Sequence, residues 1–136
     1  MKKIVMVDSS VWISYYRPAG SADLKNKVAN IIIEDLAATC GLIRAEVLQG
    51  TTDQKSFDII NQDFSAFQQI EITENTYGKA AKLAFDLRRK GITAPLIDIV
   101  ISTLVRDCDL SLWHSDNHYE MIKKVAKIDT LYLLQK

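Results

Sequence analysis

The stretch LSLWHSDNHY, Leu110 to Tyr119, joins an apolar run to His114, Ser115, Asp116, Asn117 and His118 without a break. It admits three local readings: a strand ending at a catalytic carboxylate, a histidine-based metal site, or a strand followed by a helix cap. The same form occurs near the start, where KKIVMV is a compact strand candidate ending at Asp8. Two short apolar runs, each delivering an aspartate, set the question of what lies between them.

Helical and strand patterns alternate there. SADLKNKVANIIIEDLA places Leu24, Val28, Ile31, Ile32 and Leu36 at helical spacing. A short strand over about Ala38 to Leu42 leads into RAEVLQG. DQKSFDIINQDFSAF predicts a helix with Phe57, Ile60 and Phe64 on one face and Phe67 near its end, and QIEI reads as a short strand. From Thr76 to Lys90 the apolar stripe is Tyr77, Ala80, Ala81, Ala84 and Leu87, closed by Gly91 as a cap. Thr93 is the expected cap of the next helix, PLIDIVISTLVRD, with Pro95 tolerated in its first turn. LSLW is then a strand, DNHYEMIKKVAK a helix and TLYLL a final strand. Alternating elements with nearly continuous apolar strands predict a mainly parallel central sheet covered on both faces, a three-layer α/β/α fold. Sites in such folds lie beyond the carboxyl ends of the strands, so Asp8 and Asp116 share a rim.

The gross composition narrows the class. At 136 residues, with no repeats or polar linkers, the chain reads as a single domain over 1–136 that can bury a core unaided. Seventeen basic and seventeen acidic side chains cancel, which argues against a strongly electropositive binder of long duplex nucleic acid but leaves room for a local basic patch. IVMV is too short for a signal-peptide core and no run approaches a membrane span, so the expected location is cytoplasmic, with no membrane partner. Cys40 and Cys108, both in apolar surroundings, are expected to be buried free thiols. Any metal site must then draw on oxygen ligands or the two histidines.

Two further acids stand in apolar surroundings. Glu46 follows the second strand in LIRAEVLQG, and Asp98 lies among aliphatic neighbours in APLIDIVISTLV. A carboxylate in such surroundings needs a partner or a cation, or it takes up a proton. Asp8 and Asp116 can instead be helix caps, Glu46 an exposed first-turn residue, and Asp98 a solvent-facing one. Four converging carboxylates would repel one another unless a cation neutralised them, and oxygen-only ligation favours Mg²⁺ or Mn²⁺ over zinc. Such an ion suits phosphodiester cleavage. Arg17, Arg44, Arg88, Arg89 and Lys90 are the basic candidates for gripping a nucleic-acid backbone, each with a solvated-surface role as the alternative. The RRK cluster on a neutral chain favours a small structured RNA over duplex DNA. Trp12 and Trp113 read as core or interface residues. His114 and His118, without a cysteine beside them, make a poor zinc set.

Four segments in order resemble the PIN-domain nucleases, and more closely the VapC toxins of toxin–antitoxin modules: VDSSVWISYY (7–16), AEVLQG (45–50), DLRRKGITAPLIDIVIS (86–102) and WHSDNHYEMI (113–122). The resemblance implies a PIN-like fold and puts the metal-binding acids on Asp8, Glu46, Asp98 and Asp116. It also matches a hydroxyl that orients a ligand or water to Ser10. Two positions beyond the last aspartate, where many relatives carry an acid followed by phenylalanine, this chain has His118 and Tyr119. His118 is thereby a candidate for a place beside the metal-binding acids, contacting substrate or carrying a proton, with a surface role as the alternative. The implied activity is metal-dependent endoribonuclease cleavage of a transfer RNA or ribosomal RNA loop. The implied partners are a cognate VapB-like antitoxin, the RNA and a second copy of the chain. A PIN-domain nuclease of RNA maturation and a non-catalytic binding scaffold are the alternatives.

Overall fold

The computed structural model describes residues 2–134. Its twelve elements run β1 (Val5–Val7), α1 (Ser9–Tyr16), α2 (Ala22–Ile33), β2 (Ala37–Thr39), α3 (Gly41–Gln49), α4 (Gln54–Ser65), β3 (Gln68–Gln69), α5 (Glu74–Arg89), α6 (Leu96–Asp107), β4 (Ser111–His114), α7 (Asn117–Ile122) and β5 (Asp129–Tyr132). The strands form one sheet in the order β3-β2-β1-β4-β5. Every pairing among the described residues is parallel, with Val7 opposite Trp113 and Met6 opposite Ala38. Helices α1 to α4 pack on one another, and α5 to α7 form a second group. The chain winds from β1 outward to β3, then crosses to β4 and winds the other way. With right-handed crossovers, that reversal puts the two helix groups on opposite faces. The result is the expected three-layer α/β/α architecture. The reversal also opens a crevice beyond the carboxyl ends of β1 and β4, where Asp8 and Asp116 stand.

Local differences from the sequence reading have identifiable causes. The run SSVWISYY carried no helical stripe, yet it forms α1, started by Asp8 as its cap. Trp12 is fully buried there, stacked on Phe67 with ring centres 4.9 Å apart and tilted against Phe64 at 5.1 Å. Tertiary burial of one aromatic thus overrides a weak local preference. The second strand is shorter than expected and ends at Thr39; Gly41 already begins α3, so Glu46 sits well inside a helix rather than in a first turn. The third strand is only Gln68–Gln69, so it begins one residue before QIEI and shares Gln69 alone with it. In α5 the buried stripe is Thr76, Ala80, Leu83 and Leu87, while Tyr77 and Ala81 face outward. Phe57 of α4 is also partly exposed, at 37%, leaving Ile60 and Phe64 as its buried face.

Helix ends explain several boundaries. Gly91 adopts φ +75° and the Ile92 N–H returns to the Leu87 carbonyl at 2.9 Å, the closing pattern expected of a glycine stop. Helices α2 and α6 close in the same way with aspartates. Asp35 (φ 58°) and Asp109 (φ 52°) take the left-handed position, and Leu36 and Leu110 return N–H groups to Ile31 and Val105. These aspartate stops lack the glycine signal, which is why the helix beginning at Ser21 reads too long in the sequence. Thr93 does not cap α6: Pro95 occupies that place, with no side-chain cap bond. Helix α7 ends at Ile122, and the following KKVAK segment turns back to feed β5. Cys40 is buried as expected, but Cys108 is exposed, because it lies where the last turn of α6 emerges from the core; both are free thiols. No helix among the described residues is long and apolar enough to cross a membrane.

Candidate metal centre

The crevice is built by short-range capping geometry on a parallel sheet. The Asp8 N–H bonds to the Trp113 carbonyl at 2.9 Å, locking the ends of β1 and β4 together. Asp8 is buried and its carboxylate caps α1: Oδ2 accepts from the Ser10 N–H at 3.1 Å and from the Ser10 hydroxyl at 2.6 Å. The Ser10 oxygen in turn accepts the Ser115 N–H at 3.0 Å. Ser10 therefore ties the first aspartate to the loop that carries the last one.

Asp116 has two roles at once. It caps α7 through Oδ1, which accepts the His118 N–H at 2.9 Å, and the His118 Nδ1 lies 2.9 Å from the same oxygen. Burial works to raise the Asp116 pKa. The backbone and side-chain hydrogen bonds from His118 outweigh it, and the net shift is downward. The fully buried His114 sets the backbone at this point. Its Nδ1 accepts the Asp116 N–H at 3.1 Å, so the ring proton sits on Nε2, 2.9 Å from the Glu120 carboxylate.

Asp98 enters from the first turn of α6, held among aliphatic neighbours and only 8% exposed. Its Oδ2 accepts no hydrogen bond and faces His118 Nδ1 at 3.4 Å. Burial, followed by repulsion from Asp116 and Asp8, pushes its carboxyl up to about 7. Asp98, Asp116 and His118 offer three ligand atoms that lie within 4.8 Å of one another. Glu46 flanks them from α3, half-buried. Its pKa is raised by burial and then by the Asp8 charge, with the Ser9 hydroxyl opposing and Asp116 adding to the rise. A buried carboxylate oxygen without a donor, beside other carboxylates, fits a divalent cation; an apolar or anionic ligand would leave it uncompensated.

Tyr119 completes the centre and had no assigned role in the sequence reading. Its ring is fully buried, and its hydroxyl donates to Asp8 Oδ1 at 2.7 Å and to Asp98 Oδ1 at 3.4 Å. Burial, with the Asp8 and Asp98 charges, holds the phenol well above its usual pKa, so it stays a donor. The only sequence signal was a tyrosine where phenylalanine is common in the resembling family. Tyr119→Phe keeps the ring and deletes the donor. It is expected to cost about 1–3 kcal/mol of stability, because a buried carboxylate oxygen loses its bond. Urea denaturation of the two proteins checks this, and equal midpoints would contradict it.

The basic candidates are dispersed. Arg17 is exposed at the C-terminal end of α1, the end opposite Asp8. Arg44 is engaged within the fold: its guanidinium donates to the Asn61 side chain and backbone and to Ser65, fastening α3 to α4. Arg88 and Arg89 end α5 and Lys90 caps it, all three exposed. Arg89 lies 5.7 Å over the Phe85 ring. The short connection from Lys90 to Leu96 sets this cluster at the same end of the fold as the first turn of α6, which carries Asp98.

No protein-family model matches the chain. It is 23% identical over 129 residues to the VapC ribonuclease Mb1587 of Mycobacterium bovis, covering 92% of this chain and 96% of that protein. Among solved structures, VapBC2 from Rickettsia felis, bound to a DNA fragment from its promoter, superposes with a TM-score of 0.78 at 13% identity, covering 96% of this chain and 98% of the other. A toxin–antitoxin complex from Klebsiella pneumoniae gives 0.70 at 16% identity, covering 97% and 99%. At such identities the likeness establishes the architecture: this chain has a PIN-like α/β/α fold, shared with the VapBC2 and Klebsiella pneumoniae toxin–antitoxin structures.

Proposed function

We propose that the chain, as a single domain over 1–136, is a metal-dependent endoribonuclease toxin that hydrolyses phosphodiester bonds in a structured RNA, a transfer RNA or ribosomal RNA loop. One observation carries the reading. Acids from three separate elements meet at the β1/β4 crevice, and one buried carboxylate oxygen among them, Asp98 Oδ2, has no hydrogen-bond donor. Asp8, Glu46, Asp98 and Asp116 would hold Mg²⁺ or Mn²⁺. A bound ion of that kind supplies an activated water and charge neutralisation at the scissile phosphate. Ser10 and Tyr119 keep the Asp8 carboxylate oriented. The exposed Arg88, Arg89 and Lys90, with Arg17, grip the RNA backbone without specifying bases. Arg44, committed to Asn61 and Ser65, is left out of that set.

The relative named a ribonuclease and the solved complex named toxin–antitoxin support the same reading. A cognate VapB-like antitoxin and a second copy of the chain are the partners it calls for. Ile13, Ile33 and Ile59, exposed on α1, α2 and α4, offer apolar surface for them. The setting is cytoplasmic. The test is RNA cleavage by purified Asp8→Asn protein beside the parent, with Mg²⁺ or Mn²⁺ supplied. Activity is expected to fall at least about 100-fold, the scale seen when a charge-stabilising group is deleted. Retention of full activity, with contaminating nuclease excluded, would overturn the assignment.

A further inference from the structure

We propose that His118 makes this a mixed nitrogen–oxygen site that selects Mn²⁺ and the later first-row divalent ions over Mg²⁺. The inference rests on the metal-centre reading above and concerns which ion the centre takes.

The geometry starts from the cap of α7. Asp116 holds the His118 N–H at 2.9 Å, which places His118 in the first turn. Its side chain folds back over the cap, bringing Nδ1 to 2.9 Å from Asp116 Oδ1 and 3.4 Å from Asp98 Oδ2. The second of these oxygens belongs to a residue only 8% exposed and accepts no hydrogen bond. A desolvated carboxylate oxygen, a second carboxylate oxygen and an imidazole nitrogen thus share one small volume, all within 4.8 Å. The His118 side chain is 48% exposed, so its ring can turn toward an ion without disturbing the core.

Ligand chemistry then decides the ion. Mg²⁺ demands oxygen ligands in near-ideal octahedral geometry and dehydrates reluctantly. Imidazole suits transition ions, whose affinity for nitrogen-containing sites rises along the first row. A carboxylate at position 118 would make the set all-oxygen and remove that bias.

The full chain, stripped with chelator, is titrated with Mn²⁺ and Mg²⁺ separately by calorimetry, alongside His118→Ala and His118→Asp. The parent is expected to bind Mn²⁺ at least about 10-fold tighter than Mg²⁺. His118→Ala should lose about 10-fold in Mn²⁺ affinity, with Mg²⁺ changed by less than about 3-fold. His118→Asp should move the ratio toward Mg²⁺. Pulsed electron paramagnetic resonance on the Mn²⁺-loaded parent should show imidazole nitrogen coupling that His118→Ala lacks. Absence of that coupling, or equal losses for both ions in His118→Ala, overturns the proposal while leaving the metal centre intact. Undiminished binding of both ions by Asp98→Asn and Asp116→Asn would instead overturn the centre itself.

Discussion

Asp98→Asn is expected to lower RNA cleavage by about 100- to 1000-fold while making the metal-free protein more stable at neutral and alkaline pH. The two effects have one source. Asp98 is buried beside Asp116 and Asp8, and its carboxyl is pushed up to about 7 by burial first and by those charges second. In the unfolded chain the same group titrates near 4. Its folded form therefore favours the protonated acid. That contribution to stability is fully present below the unfolded pKa and is lost as pH rises through about 7. At pH 8 without metal the wild-type fold carries a poorly compensated buried carboxylate, and the neutral amide does not. The expected gain for Asp98→Asn at pH 8 is about 1–3 kcal/mol, shrinking toward zero near pH 4. Urea denaturation in chelator across that range reads it directly. A difference that grows toward acid pH would contradict the sign.

Activity moves the other way. The oxygen that destabilises the empty fold is the one offered to a cation, so its removal should lower cleavage by about 100- to 1000-fold. In the wild-type protein a divalent ion competes with the proton on Asp98. Apparent metal affinity should accordingly strengthen as pH rises through about 7.

Trp12→Ala carries the largest expected loss of stability, about 3–5 kcal/mol. Trp12 is fully buried and meets Phe67, Phe64 and Tyr16 through ring contacts with centres 4.9 to 6.0 Å apart. It is the anchor of α1, and the first turn of α1 holds Ser9 and Ser10 against the carboxylates. A domain of this size has about 5–15 kcal/mol in total, so the variant should lie close to the edge of folding. Trp12→Phe, which keeps an aromatic plane in place, should lose clearly less. Chemical denaturation of both variants decides the point; a loss below about 1 kcal/mol in Trp12→Ala would show that α1 is held by other contacts.

These expectations separate what was legible locally from what was not. Runs such as IVMV, apolar throughout, predict a parallel sheet because a strand covered on both faces has no polar side to show, and β1 is indeed buried at every position. LSLW, broken by Ser111, is a weaker signal, and β4 alternates buried and half-buried residues. The same logic locates Asp8 and Asp116, since residues immediately after such strands must emerge on one rim. Asp98 was visible as a carboxylate in an aliphatic helix, a position that demands a partner. Helix α1 was not visible, because its stability comes from burying Trp12 against residues more than fifty positions away. The stripe of α5 is right at Ala80 and Leu87 but one residue off at its other positions, where Thr76 and Leu83 are buried rather than Tyr77 and Ala84, since small and aromatic residues satisfy several helical faces equally well.

The sequence by itself therefore determined the layering of the fold, its parallel sheet and the rim on which the acids stand; the strand order β3-β2-β1-β4-β5 came from the tertiary structure. The tertiary structure alone decided how those acids are held. It turned Asp8 and Asp116 into caps and ligand candidates together, placed the Tyr119 hydroxyl between two carboxylates, and committed Arg44 to fastening two helices. The physical reason is that periodicity reports which face of an element is buried. Hydrogen-bond partners and shared charge depend on which elements meet, and here the deciding pair, Asp8 and Tyr119, are 111 residues apart.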